Sequence, residues 1–376
     1  MQQDLMFPVY VMVFLILFFI GVHFLRSKMK PNVPAPSIFV SNDYEPTPVK
    51  EEDKKTITWI IHMYPPVHNA GAEWMAHAMN RFLIEKGGFK VNVVVPYFPL
   101  KTFEGVNIIT FSEKKRIQHA IRHSSVILSH LDFSKNTIRT CAKAQRPCIL
   151  VIHNHAQHSL LTLAKSIIPK NNLHLVHNSQ WIQQLYSSYS FNSTVVYPPV
   201  SWKDYRVKTS KRYVTLINLN KNKGGNILIQ IAKQMPDVEF LAVKGGYDSQ
   251  IIDDRIPNIT YVPNTPHIQE IYAKTQIILM PSKEESWGRV AVEAMSSGIP
   301  VIANSTPGLR EACSYAGLFV ERDNITDWAN LIYRLKTDQA YYKKQSDLAF
   351  KRAQELEPTP QLQQFASWIQ EIEWKN

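Results

Sequence analysis

The chain has 376 residues, enough for two domains of ordinary size, and its 45% apolar and 19% charged residues exclude a disordered or fibrous protein. A net charge of +11 and a pI near 9.3 point to anionic partners. The Lys and Arg are scattered, however, and neither zinc-finger spacing nor an RNA-recognition consensus is present, so attraction to a membrane surface is favoured, with general solubility next and nucleic acid last. Cys141, Cys148 and Cys313 have no metal or redox spacing, which suits a reducing compartment.

The first predicted element is FPVYVMVFLILFFIGVHFL, Phe7 to Leu25, 19 residues with no Asp, Glu, Lys or Arg. As a helix it measures about 28 Å, close to the hydrocarbon thickness of a bilayer. A cleaved signal peptide would want a positive leader and a shorter apolar core. Arg26, Lys28 and Lys30 follow the run and only Asp4 is charged before it, so the positive-inside rule places the body of the chain in the cytoplasm. Sequons at Asn192, Asn258, Asn304 and Asn324 would argue for a lumen, but Asn304 falls beside the ligand site described below, where a glycan would obstruct it. Residues 31–55, with five prolines and the run KEEDKK, read as a tether.

An apolar strand from Ile57 leads to a Pro-Pro loop, after which Asn69-Ala70-Gly71-Ala72-Glu73 open a helix ending at Gly87–Gly88. Strands follow at Val91–Val95, Val106–Thr110, Val126–Leu128 and Cys148–Ile152. The last delivers His153 to a strand end, where α/β domains meet their ligands. His155 and His158 are close by, but i, i+2, i+5 matches no standard zinc pattern. LHLVHNSQWIQQLY reads as a strand and a helix capped by Asn178 or Ser179. From Tyr213 the pattern begins again: strand YVTLI, loop NLNKNKGG, helix NILIQIAKQM, strand VEFLAV, strand NITYV, and a turn at Pro263–Pro266 before a helix at His267. Asp253-Asp254 reads as a surface turn.

The richest stretch is PSKEESWGRVAVEAMSSGIPVIANSTPG, Pro281 to Gly308. It predicts a strand end, a polar turn, a helix from Gly288 to Gly298 and a strand Ile299–Ala303, the parallel strand–helix–strand unit. Glu293 lies on a helix that is apolar nearly all round, where a carboxylate is costly without a partner. Glu285 precedes it with seven residues between, and Gly288 lets backbone approach a ligand at a helix N-terminus suited to phosphate.

This segment resembles the signature of family 4 retaining glycosyltransferases of the GT-B fold. The resemblance covers about residues 56–374 and is most specific over 281–308. It implies two Rossmann-like domains facing across a cleft: an acceptor domain at 56–200 and a nucleotide-sugar domain at 201–357. They follow a membrane anchor at 1–30 and the 31–55 linker, and a helix at 358–376 crosses back to the first domain. It also implies that His153 and Glu285 act on the donor sugar and that Glu293 holds the ribose hydroxyls. Gly71, Lys223, Asn264, Ser286, Trp287, Gly288, Arg289 and Val290 complete the donor site. Asn218 stands where many members carry an arginine for the diphosphate, leaving Lys221 or Arg289 to supply that charge.

The activity so implied is a membrane-anchored, metal-independent glycosyltransferase, moving a sugar from a nucleoside-diphosphate sugar to a hydroxyl of a glycan, glycolipid or glycoprotein with retention. No cofactor beyond the donor and no nucleic acid are expected. The rival readings are a sugar-nucleotide epimerase and a non-catalytic nucleotide-sugar-binding subunit, the latter suggested by Asn218.

Overall fold

Strands rich in Val, Ile and Leu that are buried on both faces belong to parallel sheets covered by helices on each side. A computed structural model, which describes residues 36–373, has two such sheets. The first contains β1 (Thr56–Ile60), β2 (Lys90–Val95), β3 (Thr102–Phe103), β4 (Val106–Thr110), β5 (Val126–His130), β6 (Cys148–Ile152), β7 (Leu173–His177) and β8 (Asn192–Val195). Their order is β3-β4-β2-β1-β5-β6-β7-β8, and only β3 is antiparallel to its neighbour. The second sheet, wholly parallel, contains β9 (Tyr213–Ile217), β10 (Phe240–Val243), β11 (Ile259–Val262), β12 (Thr275–Met280), β13 (Val301–Asn304) and β14 (Gly317–Val320). Its order is β11-β10-β9-β12-β13-β14. Strand order therefore reverses beside β1 in one sheet and beside β9 in the other, which opens a crevice at the carboxyl end of each.

The apolar run 7–25 and Trp374 lie outside the described residues. Among those described, no helix is long and apolar enough to cross a membrane. The linker expectation needs correction over its second half. Phe39, Val40 and Tyr44 are buried among the helices of the first domain, and the Phe39 amide donates to Thr140 Oγ1 at 3.0 Å. Three apolar side chains within six residues are reason enough for the segment to pack and not float.

The final helix, Thr359–Glu373, puts Leu362, Phe365, Ala366, Ile369 and Ile372 into the core of the first domain. Gln361 clamps the backbone of Tyr197 from both sides, accepting from its amide and donating to its carbonyl. Two helices not anticipated from sequence, Ile325–Thr337 and Gln339–Glu355, are capped by the side chains of Asn324 and Asp338.

His177 at the end of β7 is 1% exposed, lies against Tyr186, and has no hydrogen-bond partner at Nδ1 among the described residues. Burial pushes its pKa from 6.5 down to about 4. Between these values the unfolded chain binds a proton that the folded one refuses, so stability falls as pH drops through that window. His177→Leu should recover about 2–3 kcal/mol of unfolding free energy at pH 4.5 relative to its effect at pH 7. Paired denaturant titrations at the two pH values check this, and an equal effect at both would show that His177 does not titrate there.

Candidate active site

The second domain's wall is built where β12 ends. The loop from Pro281 turns at Gly288, whose φ of +112° suits glycine alone, and any Cβ there would meet Leu309 Cδ2 at 2.6 Å. Gly308 packs so close that a Cβ would lie 2.3 Å from the Glu285 carbonyl oxygen, so the glycine fixes the loop carrying that acid. The following helix, Arg289–Met295, places Arg289 and Glu293 one turn apart. Arg289 Nε donates to Glu293 Oε1 at 2.6 Å, and Tyr272 donates its hydroxyl to Oε2 at 2.8 Å. Arg289 Nη2 reaches the Tyr205 hydroxyl at 2.7 Å, while Nη1 is buried with no partner among the described residues. Burial would depress the Arg289 pKa, but the Glu293 charge outweighs it and the net shift is upward. For Tyr272, burial and then Glu293 push the phenol well up.

Lys223 makes a salt bridge with Glu285. Desolvation opposes its charge, yet Glu285 overcomes this and leaves its pKa raised. Asn218 sits at φ +68°, where its Oδ1 accepts from the Asn220 amide and from Gln250 Nε2. The side chain that replaces the expected arginine is thus occupied in bracing its own loop. Lys221 is exposed and does not line the cleft, and its carbonyl accepts from Arg322. Arg289 does line the cleft. The Trp287 ring, assigned to the donor from sequence, is buried and stacked on Tyr197 at 4.0 Å.

The first domain contributes the N-terminus of the helix Gly71–Glu85. His153 shares a hydrogen bond of 3.0 Å with Nδ1 of His130 at the end of β5. Burial lowers its pKa to about 4, only partly offset by Glu73, so the imidazole is neutral at physiological pH. Sequence reasoning missed a neighbouring group: Glu73 is 2% exposed, with Oε1 at 3.5 Å from His62 Nε2 and 3.2 Å from His68 Nδ1. The signal lay in view, an acid in the first turn of a glycine-led helix and a histidine just past a strand end. His155 lies 3.9 Å from Glu284, and His158 contacts Tyr189. Among the described residues no three His, Cys, Asp or Glu side chains form a metal-holding group.

The domains touch around the crevice. Asn69 donates to Asn264 Oδ1 and to the Thr265 carbonyl, and Asn178 donates to Ser286 Oγ. The helix Gln180–Leu185 is not capped by Asn178 or Ser179. The Glu311 carboxylate of the other domain accepts from the Gln180 and Trp181 amides, because an ionised acceptor suits a positive helix end better than a hydroxyl. Between the domains lies a cleft of about 840 Å³. His153, Glu285, Gly71, Asn218, Lys223, Asn264, Ser286, Trp287, Gly288, Arg289, Val290 and Glu293 all line it.

Two Rossmann-like domains facing each other across one cleft define a protein of GT-B architecture. Residues 201–352 match the family described as "Glycosyl transferases group 1". D-inositol 3-phosphate glycosyltransferase from Mycobacteroides abscessus is 30% identical over 131 residues, 30% of this chain and 29% of that protein. The chain thus spans less than half the length of the curated relatives it matches. Among solved structures, sucrose-phosphate synthase from Thermosynechococcus elongatus superposes with a TM-score of 0.70 at 17% identity, covering 85% of this chain and 99% of that one. HepE from Anabaena in complex with UDP-glucose gives 0.68 at 17% identity, with 83% and 98% covered. At such identities the likeness is one of fold. The match to the group 1 glycosyltransferases thus lies in the second domain, over residues 201–352, and the solved structures add the fold of both domains.

Proposed function

We propose that this chain is a membrane-anchored glycosyltransferase that moves a sugar from a nucleoside-diphosphate sugar to an acceptor hydroxyl with retention. The observation that carries the reading is Arg289, buried in the cleft with one guanidinium nitrogen unpaired among the described residues, and a second cation, Lys223, lining the same cleft. A diphosphate answers both, since buried donors demand acceptors and charge-assisted bonds are the strong ones. A uridine diphosphate sugar is the first donor to try, because HepE, of the same fold, binds UDP-glucose.

On this reading Glu293 takes the ribose hydroxyls, and Lys223 and Arg289 stabilise the charge that builds on the departing diphosphate. Glu285 and the neutral His153 hold the sugar as its anomeric carbon becomes oxocarbenium-like. A donor phosphate oxygen takes the acceptor's proton, so no protein nucleophile is needed.

Incubation with membrane extract and a panel of labelled donors tests the proposal. Transfer supports it, whereas epimerised donor or binding without turnover would each replace it. His153→Ala should lower turnover about tenfold or more while leaving nucleoside-diphosphate affinity nearly intact. Parent-rate transfer by this variant would remove His153 from the sugar site. Topology is checked separately: a reporter fused after Asn376 should be cytoplasmic, and a glycan on Asn192 or Asn324 would reverse the orientation.

A further inference from the structure

The positive charge of this chain is not spread evenly. Residues 56–200 carry 14 Lys and Arg against 5 Asp and Glu, whereas residues 201–376 carry 22 against 20. Within the first domain the imbalance is sharper still. The helices Lys114–Arg122, Ser134–Ala144 and His158–Ile167 contain eight cationic side chains and no acid. All three cover the same face of the sheet. Ile117 and Ile121, Ile138 and Cys141, and Leu161 and Ala164 enter one core together with Ile127, Leu150 and Leu175.

Their outer surfaces therefore form one continuous side of the molecule. Lys114, Lys115, Lys135, Arg139 and Lys165 are exposed there, as is Lys170 just beyond the third helix, and none makes an ion pair among the described residues. Most acids bordering this face are already paired. Glu113 is taken up by Lys101 and Arg116, Asp53 by His123, Glu51 by Lys54 and Glu52 by Lys50, while Asp43 lies near Lys143 and Glu45 and Asp132 are exposed. Ile167 adds an exposed apolar side chain between Lys165 and Lys170.

A second observation concerns where the chain enters. The segment from Phe39 to Tyr44 is buried on this same face, and Asn136 on its middle helix donates to the Pro36 carbonyl at 2.8 Å. Pro36, the first described residue, is thus on this side, and the apolar run at 7–25 precedes it in the sequence. The ten residues from Arg26 to Met29 and on to Ala35 span at most about 35 Å extended.

We propose that this cationic face of the first domain docks on the surface of an anionic lipid bilayer. Each Lys or Arg near such a surface is attracted by it, and the attraction fades within a Debye length. The domain would lie with its three helices toward the headgroups, and the cleft between the domains would open along the bilayer. The proposal extends the membrane part of the reading above, and the two can fail separately.

The test uses the full chain with a fluorophore on Ser166→Cys, in the exposed part of the third helix, or on Ala340→Cys in the second domain. The native cysteines are buried and do not compete for label. Vesicles of phosphatidylcholine are compared with vesicles containing about 30% phosphatidylglycerol, both carrying a headgroup quencher. Quenching at position 166 should exceed that at position 340 by about threefold or more on the anionic vesicles, and salt should abolish the excess. The triple variant Lys135→Glu, Arg139→Glu, Lys165→Glu should lose it without any change in thermal unfolding. The salt titration of the parent needs no variant, so poor folding of the triple would not blunt the test.

Equal quenching at both positions, or no dependence on anionic lipid, would overturn the proposal. So would random-sequence RNA that binds the labelled face and displaces it from the anionic vesicles, since the face would then be a nucleic-acid surface. Flotation with neutral vesicles separates the two readings. A chain that floats only with anionic vesicles has the docking face but no spanning anchor. One that floats with both yet shows no excess at position 166 has the anchor alone.

Discussion

Glu293→Gln is expected to weaken both the protein and its hold on nucleotide. From sequence alone an isosteric amide looks harmless to the fold, because only a ligand contact is in view. The structure overturns that expectation. Glu293 is the counterion of Arg289 and the acceptor for Tyr272, and all three are largely removed from water. Removing one partner of a buried pair leaves a desolvated charge, at a cost of about 3–5 kcal/mol when nothing replaces it. The amide oxygen still accepts one bond, so about 2–3 kcal/mol is the expected loss in denaturant unfolding. Nucleoside-diphosphate affinity measured by calorimetry should fall about tenfold or more in the same variant. A protein as stable as the parent would mean that the Arg289–Glu293 pair carries no structural load.

Lys223→Met should lower turnover about 10²–10³-fold, because a cation aimed at departing charge is worth most in the transition state. Its pairing with Glu285 sharpens the prediction. Each neutralises the other, and a bound donor would draw the lysine to phosphate and free the carboxylate for the sugar. Loss of either should therefore disturb the other, and the double variant with Glu285→Ala should be far less impaired than the product of the single effects. Strict multiplicativity in a double-mutant cycle of kcat would show that the pair does not work as a unit.

The segment from Pro281 to Gly308 was legible because its information is local. Strand, turn glycine, buried helix and strand follow one another, and the two acids are fixed relative to each other by the helix between them. His153 was legible for a similar reason, as a polar residue at the end of a strongly apolar strand. What escaped notice depends on contacts between distant residues. Glu73 makes sense only when the loop after β1 folds His62 and His68 back over its helix, and His130 becomes a partner of His153 only because β5 and β6 are neighbours. Glu311 caps a helix 130 residues away in the other domain, whereas local capping rules point to Asn178 or Ser179. The segment 36–44 was misjudged because prolines and charges around it outweighed the three apolar side chains that decide its packing.

The last helix has a consequence for how the protein is made. Its apolar side chains complete the core of the first domain, yet they are the last part of that core to be synthesised. The ribosome must add roughly 170 residues after the first domain's own segment has emerged, which takes about 10–35 s at ordinary elongation rates. Through that interval the groove awaiting Phe365 and Ile369 stays open, and the nascent first domain carries an uncovered apolar surface. Vectorial folding, domain by domain from the N-terminus, is therefore closed to this architecture: the first domain to begin folding is among the last to finish, and the interval is one that chaperones would have to cover.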